Sequence, residues 1–408
     1  LQLALRVALC NDPSLKEAKA SVDRRVGELA EARAAYYPNI VGALGRTRDD
    51  QGYTGLPASR VLNNSARISL EWKLFDFGER DANVQAAAQL LNESLLSRSA
   101  AFQQAVADFT DAYFAALTAR AYARAKQDME DYARETLDSV ERRRAAGLVG
   151  IGEYEQANSA LLHASLDRNR ANSAADHAEA TLRIKLGLQP GAQVNLPPLE
   201  FTESATQARP LDEWLEAVQA SHPTILAAKA RLAATEQQLR AARTSGMPSV
   251  SLSMAHYRNG RPEQSLTPYS QRETTVGITI NFPIFDGFLQ SARVKQASAD
   301  IARTQAQLAE ARDHVTQDFV GAFINARASF DDVKLALELN DSARHALESM
   351  RRRYEKGASD LSEVLSVQTA LANAVDERIK SLAEWRSARF HLLTAAAQFD
   401  LDQKGSNQ

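Results

Sequence analysis

Asp360 and Glu363 stand three residues apart just after Gly357, and Glu153 follows Gly147 in the same way, so carboxylates recur beside two glycine turns. An acid-x-x-acid spacing supports two chemistries. As a capping box, the first side chain accepts from the backbone amide three residues on, where acidic groups suit the positive end of a helix. As a charge ring, copies of the same carboxylate around an axis concentrate negative potential, select cations and hold a closed state. On the residues alone both readings stand. Other chemistry finds less support. Gly147, Gly150 and Gly152 resemble a phosphate cradle, but no strand precedes them and Gly357 repeats the turn without the other glycines. The seven histidines lack metal-ligand spacing, and the single Cys10 excludes a disulfide framework or thiolate metal site. Cys10 is expected as a small packed residue of an N-terminal helix. No catalytic residue, cofactor or metal is expected.

The elements that must position these acids are written twice. Phe75-Asp76 corresponds to Phe285-Asp286 at an offset of 286 − 76 = 210 residues. The same offset maps Pro13 on Pro223, Arg33 on Arg243, Pro38 on Pro248 and Gly147 on Gly357. One structural unit used twice about a pseudo-symmetric axis is the reading. The first repeat spans 1–210: strands about 39–48 and 65–75, a long helix 78–146, a returning helix 151–186 and a proline-rich linker 187–210. The second spans 211–408: strands about 249–258 and 274–285, a long helix 288–356, a returning helix 361–398 and a polar tail. The long helices lack proline throughout, and at 1.5 Å per residue each could run roughly 100 Å. No single globular core needs that length. Alanine on several faces lets such helices approach closely.

The strands are amphipathic. Ile68, Leu70, Trp72 and Leu74 alternate with Arg67, Ser69, Glu71 and Lys73, while Ile278, Ile280 and Phe282 alternate with Thr279, Asn281 and Pro283. About ten residues with one apolar face suit a tilted strand crossing a bilayer. A soluble sheet would need a covering layer, and the rest of the chain is long helix. Ile68, Leu70, Trp72, Leu74, Ile278, Ile280 and Phe282 are therefore expected to face lipid. Four strands cannot close a barrel, and open edges are not tolerated in lipid, so copies must pool their strands. Three copies would give twelve strands and a water-filled lumen.

Composition agrees with a large folded chain: 44% hydrophobic and 24% charged. A net charge of −3 gives no electrostatic case for nucleic acid. No run of eighteen apolar residues suggests a membrane-spanning helix. The fold class expected is a mixed α/β membrane protein: long helices forming a trimeric helical barrel, plus four antiparallel strands per chain in a shared 12-strand transmembrane β-barrel.

The segment from Gly277 through Phe282-Pro283-Ile284-Phe285-Asp286-Gly287, followed by Val294-Lys295-Gln296-Ala297, resembles the second-repeat signature of TolC-type outer-membrane channels. Tyr37-Pro38, Met247-Pro248 and the stretch from Gly147 to Glu153 are also similar to that family. The resemblance covers nearly the whole chain. It implies a passive homotrimeric exit duct in the outer membrane of a Gram-negative bacterium, with most of the chain in the periplasm. It implies work with a periplasmic adaptor (membrane fusion) protein and an inner-membrane pump or ABC transporter, in small-molecule efflux or type I protein secretion. It places an acidic constriction at Glu363, but the second acid falls on Ser366. It makes Tyr354 and Glu153 contacts that keep the tip closed, but the expected arginine falls on Ser359. Arg142–Arg144 and Arg351–Arg353 are read first as a solvated basic face, with substitution for that arginine as the alternative. Gly147, Leu148, Val149 and Gly357 sit where adaptors dock. The competing reading from another class is a soluble periplasmic coiled-coil scaffold without channel activity.

Overall fold

The computed structural model describes residues 2–51, 54–55, 59–189, 191–198, 210–259 and 272–399. Its elements run α1 (Gln2–Asn11), α2 (Pro13–Ala34), β1 (Asn39–Gln51), β2 (Ser59–Phe75), α3 (Glu79–Ala145) and α4 (Ile151–Lys185). They repeat as α5 (Leu211–Ser221), α6 (Pro223–Thr244), β3 (Ser249–Arg258), β4 (Arg272–Asn281), α7 (Leu289–Glu355) and α8 (Leu361–Ala395). Helices α3 and α7 share both boundaries at the 210-residue offset, as do α4 and α8. Runs of Ala, Leu, Glu, Gln and Arg without proline favour these helices. Acidic Glu79 and Asp81 at the start of α3 and Arg142–Arg144 at its end complement the helix dipole. Among the described residues no helix is long and apolar enough to cross a membrane.

Some boundaries differ from those read in the sequence. Strand β2 begins six residues earlier, at Ser59, because it pairs with all of β1 through Ser59 and Gln51. Strand β4 ends at Asn281 rather than 285, since Pro283 has no N–H for the ladder. Helix α5 follows Pro210 directly, and Trp214 stacks on Phe319 at 5.8 Å between ring centres. Half of the linker, the tip of the second hairpin and the polar tail lie outside the described residues. Cys10 is exposed, not packed, because α1 buries Leu5 and Ala8 and leaves Cys10 off that stripe.

Compactness does not follow the two repeats. One unit comprises Leu1–Ala18, Arg98–Thr224 and Arg312–Gln408; the other comprises Lys19–Ser97 and Ile225–Ala311. Each unit draws on both halves of the chain. In the first, Leu5 and Ala8 of α1 pack on Phe109 and Tyr113 of α3 and on Leu182 of α4. Val333 of α7 and Leu382 and Trp385 of α8 form a smaller buried cluster.

The second unit holds a four-stranded antiparallel sheet in the order β1-β2-β3-β4. Its register sorts the faces. Ile40, Leu70, Met254 and Val276 lie in one row, and Trp72, Leu252 and Ile278 in the next. Directly opposed residues share a face. The other face carries Glu71, Ser253 and Gly277 in one row and Lys73, Ser251 and Thr279 in the next. Ile68, Ile278 and Ile280 are 62%, 67% and 69% exposed, so nothing among the described residues covers the apolar face. A β-bulge lies between Lys73 and Phe75, and Phe75 rather than Leu74 pairs with Val250. The extra residue takes Leu74 out of the expected alternation. Phe282 lies just beyond β4 and is 64% exposed.

The strand-to-helix joins are clamped. In the first repeat, Arg80 donates Nε to Asp76 Oδ2 at 2.6 Å, Nη1 to the Lys73 carbonyl at 2.6 Å and Nη2 to the Leu74 carbonyl at 3.2 Å. In the second, the equivalent Gln290 donates Nε2 to the carbonyls of Ala242 at 2.8 Å and Arg243 at 2.9 Å.

Leu70 and Ile280 sit on the apolar face at equivalent positions. Arginine at either is expected to cost about 2–4 kcal/mol when the protein is refolded into bilayers. Arginine at Ser69 or Thr279, on the polar face, should be tolerated. Equal costs on both faces, measured by denaturant titration in vesicles, would contradict the assignment.

Candidate gate at the helical turns

The turns after α3 and α7 are built alike. Gly147 donates its amide to the Arg144 carbonyl and Leu148 to that of Arg143; Gly357 donates to Tyr354 and Ala358 to Arg353. Both glycines have left-handed backbones, with φ of 76° and 71°. This pattern closes a helix by satisfying its last carbonyls. Leu148 is 69% exposed, whereas Val149 packs partly into a small core. That core joins Leu137 and Val140 of α3, Ala157 of α4, Tyr354 of α7, and Leu361 and Val364 of α8. Four helix ends therefore meet around one tyrosine.

Tyr354 is buried and held from three sides. Its hydroxyl donates to Glu153 Oε2 at 3.4 Å. The Arg143 guanidinium lies 4.4 Å from its ring centre and also donates to its backbone carbonyl. Burial raises the phenol pKa above its ordinary value; the Arg143 charge lowers it in part, and the Glu153 carboxylate raises it. The phenol thus stays a proton donor to Glu153. Arg351 pairs with Glu135, and Arg353 donates to the Ala358 carbonyl at 3.3 Å. Arginines from both triplets thus engage groups around the turn. The Ser359 hydroxyl is itself buried without a partner.

Of the acid pair, Asp360 performs the capping. Asp360 is the N-cap of α8: its Oδ1 accepts from the Glu363 amide at 2.8 Å and the Ser362 hydroxyl at 2.7 Å. These bonds, the Ser362 hydroxyl foremost and then the Glu363 amide, lower its pKa. The Glu363 side chain is exposed and takes no hydrogen bond or ion pair among the described residues. Ser366, one turn on, is exposed as well.

A second feature is visible only in three dimensions. A cavity of about 1060 Å³ opens between α3, α7 and α8. Asp111, Asp318, Asp332 and Glu384 line it with His222, His314 and His391, and no Lys or Arg does among the described residues. His391 lies 2.6 Å from Asp111, and His314 lies 2.8 Å from Asp318. His222 accepts the Thr224 amide on Nδ1 at 3.3 Å, which requires a neutral ring. Burial lowers its pKa below the ordinary 6.5, partly offset by Asp318. These residues come from α3, α7, α8 and the junction of α5 with α6, far apart in sequence, so no local motif announced them. Among the described residues, no group of three or more His, Cys, Asp or Glu is arranged to hold a metal ion.

Comparison with known proteins gives a concordant result. A family model described as outer membrane efflux protein matches residues 4–188 and again 214–398, with both ends offset by 210 (214 − 4 and 398 − 188). The chain is 33% identical over 395 residues to Protein CyaE of Bordetella pertussis, covering 97% of this chain and 83% of that protein. It is 23% identical over 387 residues to the outer membrane protein TolC of Escherichia coli, covering 91% and 76% respectively. The solved structure of the outer membrane protein VceC from Vibrio cholerae superimposes with a TM-score of 0.84 at 20% identity, covering 97% of this chain and 95% of that one.

The His222 environment has a pH consequence. A folded pKa below 6.5 means the unfolded chain binds the proton more tightly, so stability falls as pH drops from 6.5 through the folded value. The apparent melting temperature is expected to decline on this acid limb. His222→Gln should flatten that part of the decline while leaving the melting temperature above pH 7 nearly unchanged. An identical acid limb in the variant would remove His222 from the account.

Proposed function

The chain belongs to the outer membrane efflux protein family, and from that premise we propose that three copies pool their strands into one closed twelve-stranded barrel. It is a passive exit duct of the outer membrane, continued by helices in the periplasm, for small-molecule efflux or type I secretion. The observation that carries the trimer is the sheet: four strands, two open edges and an apolar face that the chain leaves uncovered. Unpaired backbone groups at such edges cost several kcal/mol each in hydrocarbon, and closure alone removes both edges. A soluble helical scaffold would gain nothing from that face.

The two repeats are taken as duplicated structural units, each supplying two strands, a long helix and a returning helix. A periplasmic adaptor and an inner-membrane pump supply the energy, and the duct itself performs no catalytic step. Gly147, Leu148, Val149 and Gly357 form the adaptor-docking tip, which the exposure of Leu148 supports. Tyr354 and Glu153 hold the tip closed, with Arg143 in the role of the missing arginine. Glu363 is the constriction acid, because Asp360 already performs the capping and leaves the Glu363 carboxylate free. Ser366 contributes no second ring of charge, so selectivity rests on Glu363. The acid-lined cavity between α3, α7 and α8 belongs to the wall of the cation path. The strand residues Ile68, Leu70, Trp72, Ile278 and Ile280 meet outer-membrane lipid, with Phe75 taking the place expected of Leu74.

Two experiments test this reading. Mass measurement of the detergent-solubilised protein should give a trimer, and a monomer or dimer would sink the assembly. In planar bilayers the conductance should be cation-selective, with block by multivalent cations. Glu363→Gln is expected to reduce both selectivity and block with the trimer intact. Unchanged current–voltage behaviour in that variant would move the constriction elsewhere.

A further inference from the structure

A smaller cavity of about 230 Å³ lies between α3, α7 and α8 beside Pro198 of the linker. Its charge is the reverse of the acid-lined one. Arg124 of α3, Arg344 of α7 and Arg378 of α8 converge on it against a single carboxylate, Asp128. Among the described residues none of these three arginines forms an ion pair, and Arg378 Nε is buried without a hydrogen-bond partner. A local excess of two positive charges therefore stands in a chain whose net charge is −3. The floor is apolar: Leu371 and Ile379 line it and are only 3% exposed.

Each of these facts constrains what the cavity takes. Guanidinium groups from three helices repel one another unless an anion sits among them, and their planar forks match carboxylate or phosphate oxygens. A buried Nε with no acceptor loses the hydrogen bond it had in water, and a ligand oxygen would restore it. The apolar floor rewards a hydrocarbon part on the ligand rather than a bare ion. The volume lies below the roughly 300 Å³ at which drug-sized pockets begin, so the occupant is small.

We propose that this cavity is a binding site for a small amphipathic anion, an acidic head held by Arg124, Arg344 and Arg378 with a short apolar tail on Leu371 and Ile379. The site bridges three helices and is separate from the turn that carries Glu363. Occupancy favours the arrangement of α3, α7 and α8 seen here, as any ligand does for the conformation it binds. The proposal does not depend on conduction.

The test is calorimetric titration of the full chain in a neutral detergent with octanoate, octanamide and inorganic phosphate. Octanoate is expected to bind saturably, with octanamide and phosphate each at least tenfold weaker. Arg378→Gln should weaken octanoate at least tenfold. Arg344→Ala removes an exposed side chain and should weaken it several-fold without disturbing the fold, so it decides the matter if the first variant does not assemble. Octanamide binding as well as octanoate would reduce the site to hydrophobic partition and overturn the proposal. Phosphate binding as well as octanoate would overturn the amphipathic assignment. Unchanged octanoate affinity in a folded variant of either arginine would overturn the site itself.

Discussion

An open sheet edge in hydrocarbon is the constraint on which the rest of this structure depends. Strands β1 and β4 each leave one row of backbone amides and carbonyls unpaired within the chain. In water those groups would be solvated at little cost, but a bilayer offers no partner. The order β1-β2-β3-β4 presents a strand of the first repeat at one edge and of the second at the other. Closure therefore brings the two repeats together between neighbouring copies as well as within one. The polar residues gathered on the inner rows, such as Glu71, Lys73 and Thr279, then face water in the closed form.

The joins carry that constraint into the helices. The strand passes to the helix directly between Phe75 and Glu79 and over a longer join between Asn281 and Leu289, yet both repeats turn through two consecutive left-handed residues. The first uses Phe77 and Gly78, and the second uses Gly287 and Phe288, the same pair in reverse order. A left-handed phenylalanine is strained by roughly 1–2 kcal/mol, and ring contacts offset part of it. Phe77 meets Phe75 edge-on at 4.8 Å, and Phe288 meets Phe285 at 5.6 Å. The clamps differ as well, since a buried Arg80–Asp76 pair stands where the second repeat has neutral Gln290. The duplication preserved geometry more closely than chemistry.

Much of the fold could be read from the sequence because its signals are local. Proline-free stretches and period-two alternation each declare themselves within a short window, and α3, α7 and β3 stand where those signals put them. The bulge at Leu74 has no such marker, because an extra residue in one strand is defined only by its partner. Helix α5 was hidden by the prolines before it, although Trp214, Leu215 and Val218 mark its apolar stripe. At the candidate gate, the spacing of Asp360 and Glu363 was legible, and Asp360 is the residue that caps α8. What the sequence could not show is that Arg143 lies on the ring of Tyr354, or that Arg124, Arg344 and Arg378 share one cavity. Those are facts of tertiary packing across more than 200 residues.

One pair of equivalent positions shows how far the halves have parted. Gly187 closes α4 with a φ of 69°, and Ala397 closes α8 with a φ of 50° through the same two amide bonds. A Cβ at position 187 would lie only 2.7 Å from Asn11 Nδ2, whose amide already donates to the Leu186 carbonyl. The strap helix α1 thus excludes at 187 the residue that 397 accommodates. Alanine at 187 would press its Cβ on Asn11, and α1 would have to shift to admit it. Equivalent helix ends in the two halves therefore tolerate different residues, because only the first is pressed by Asn11.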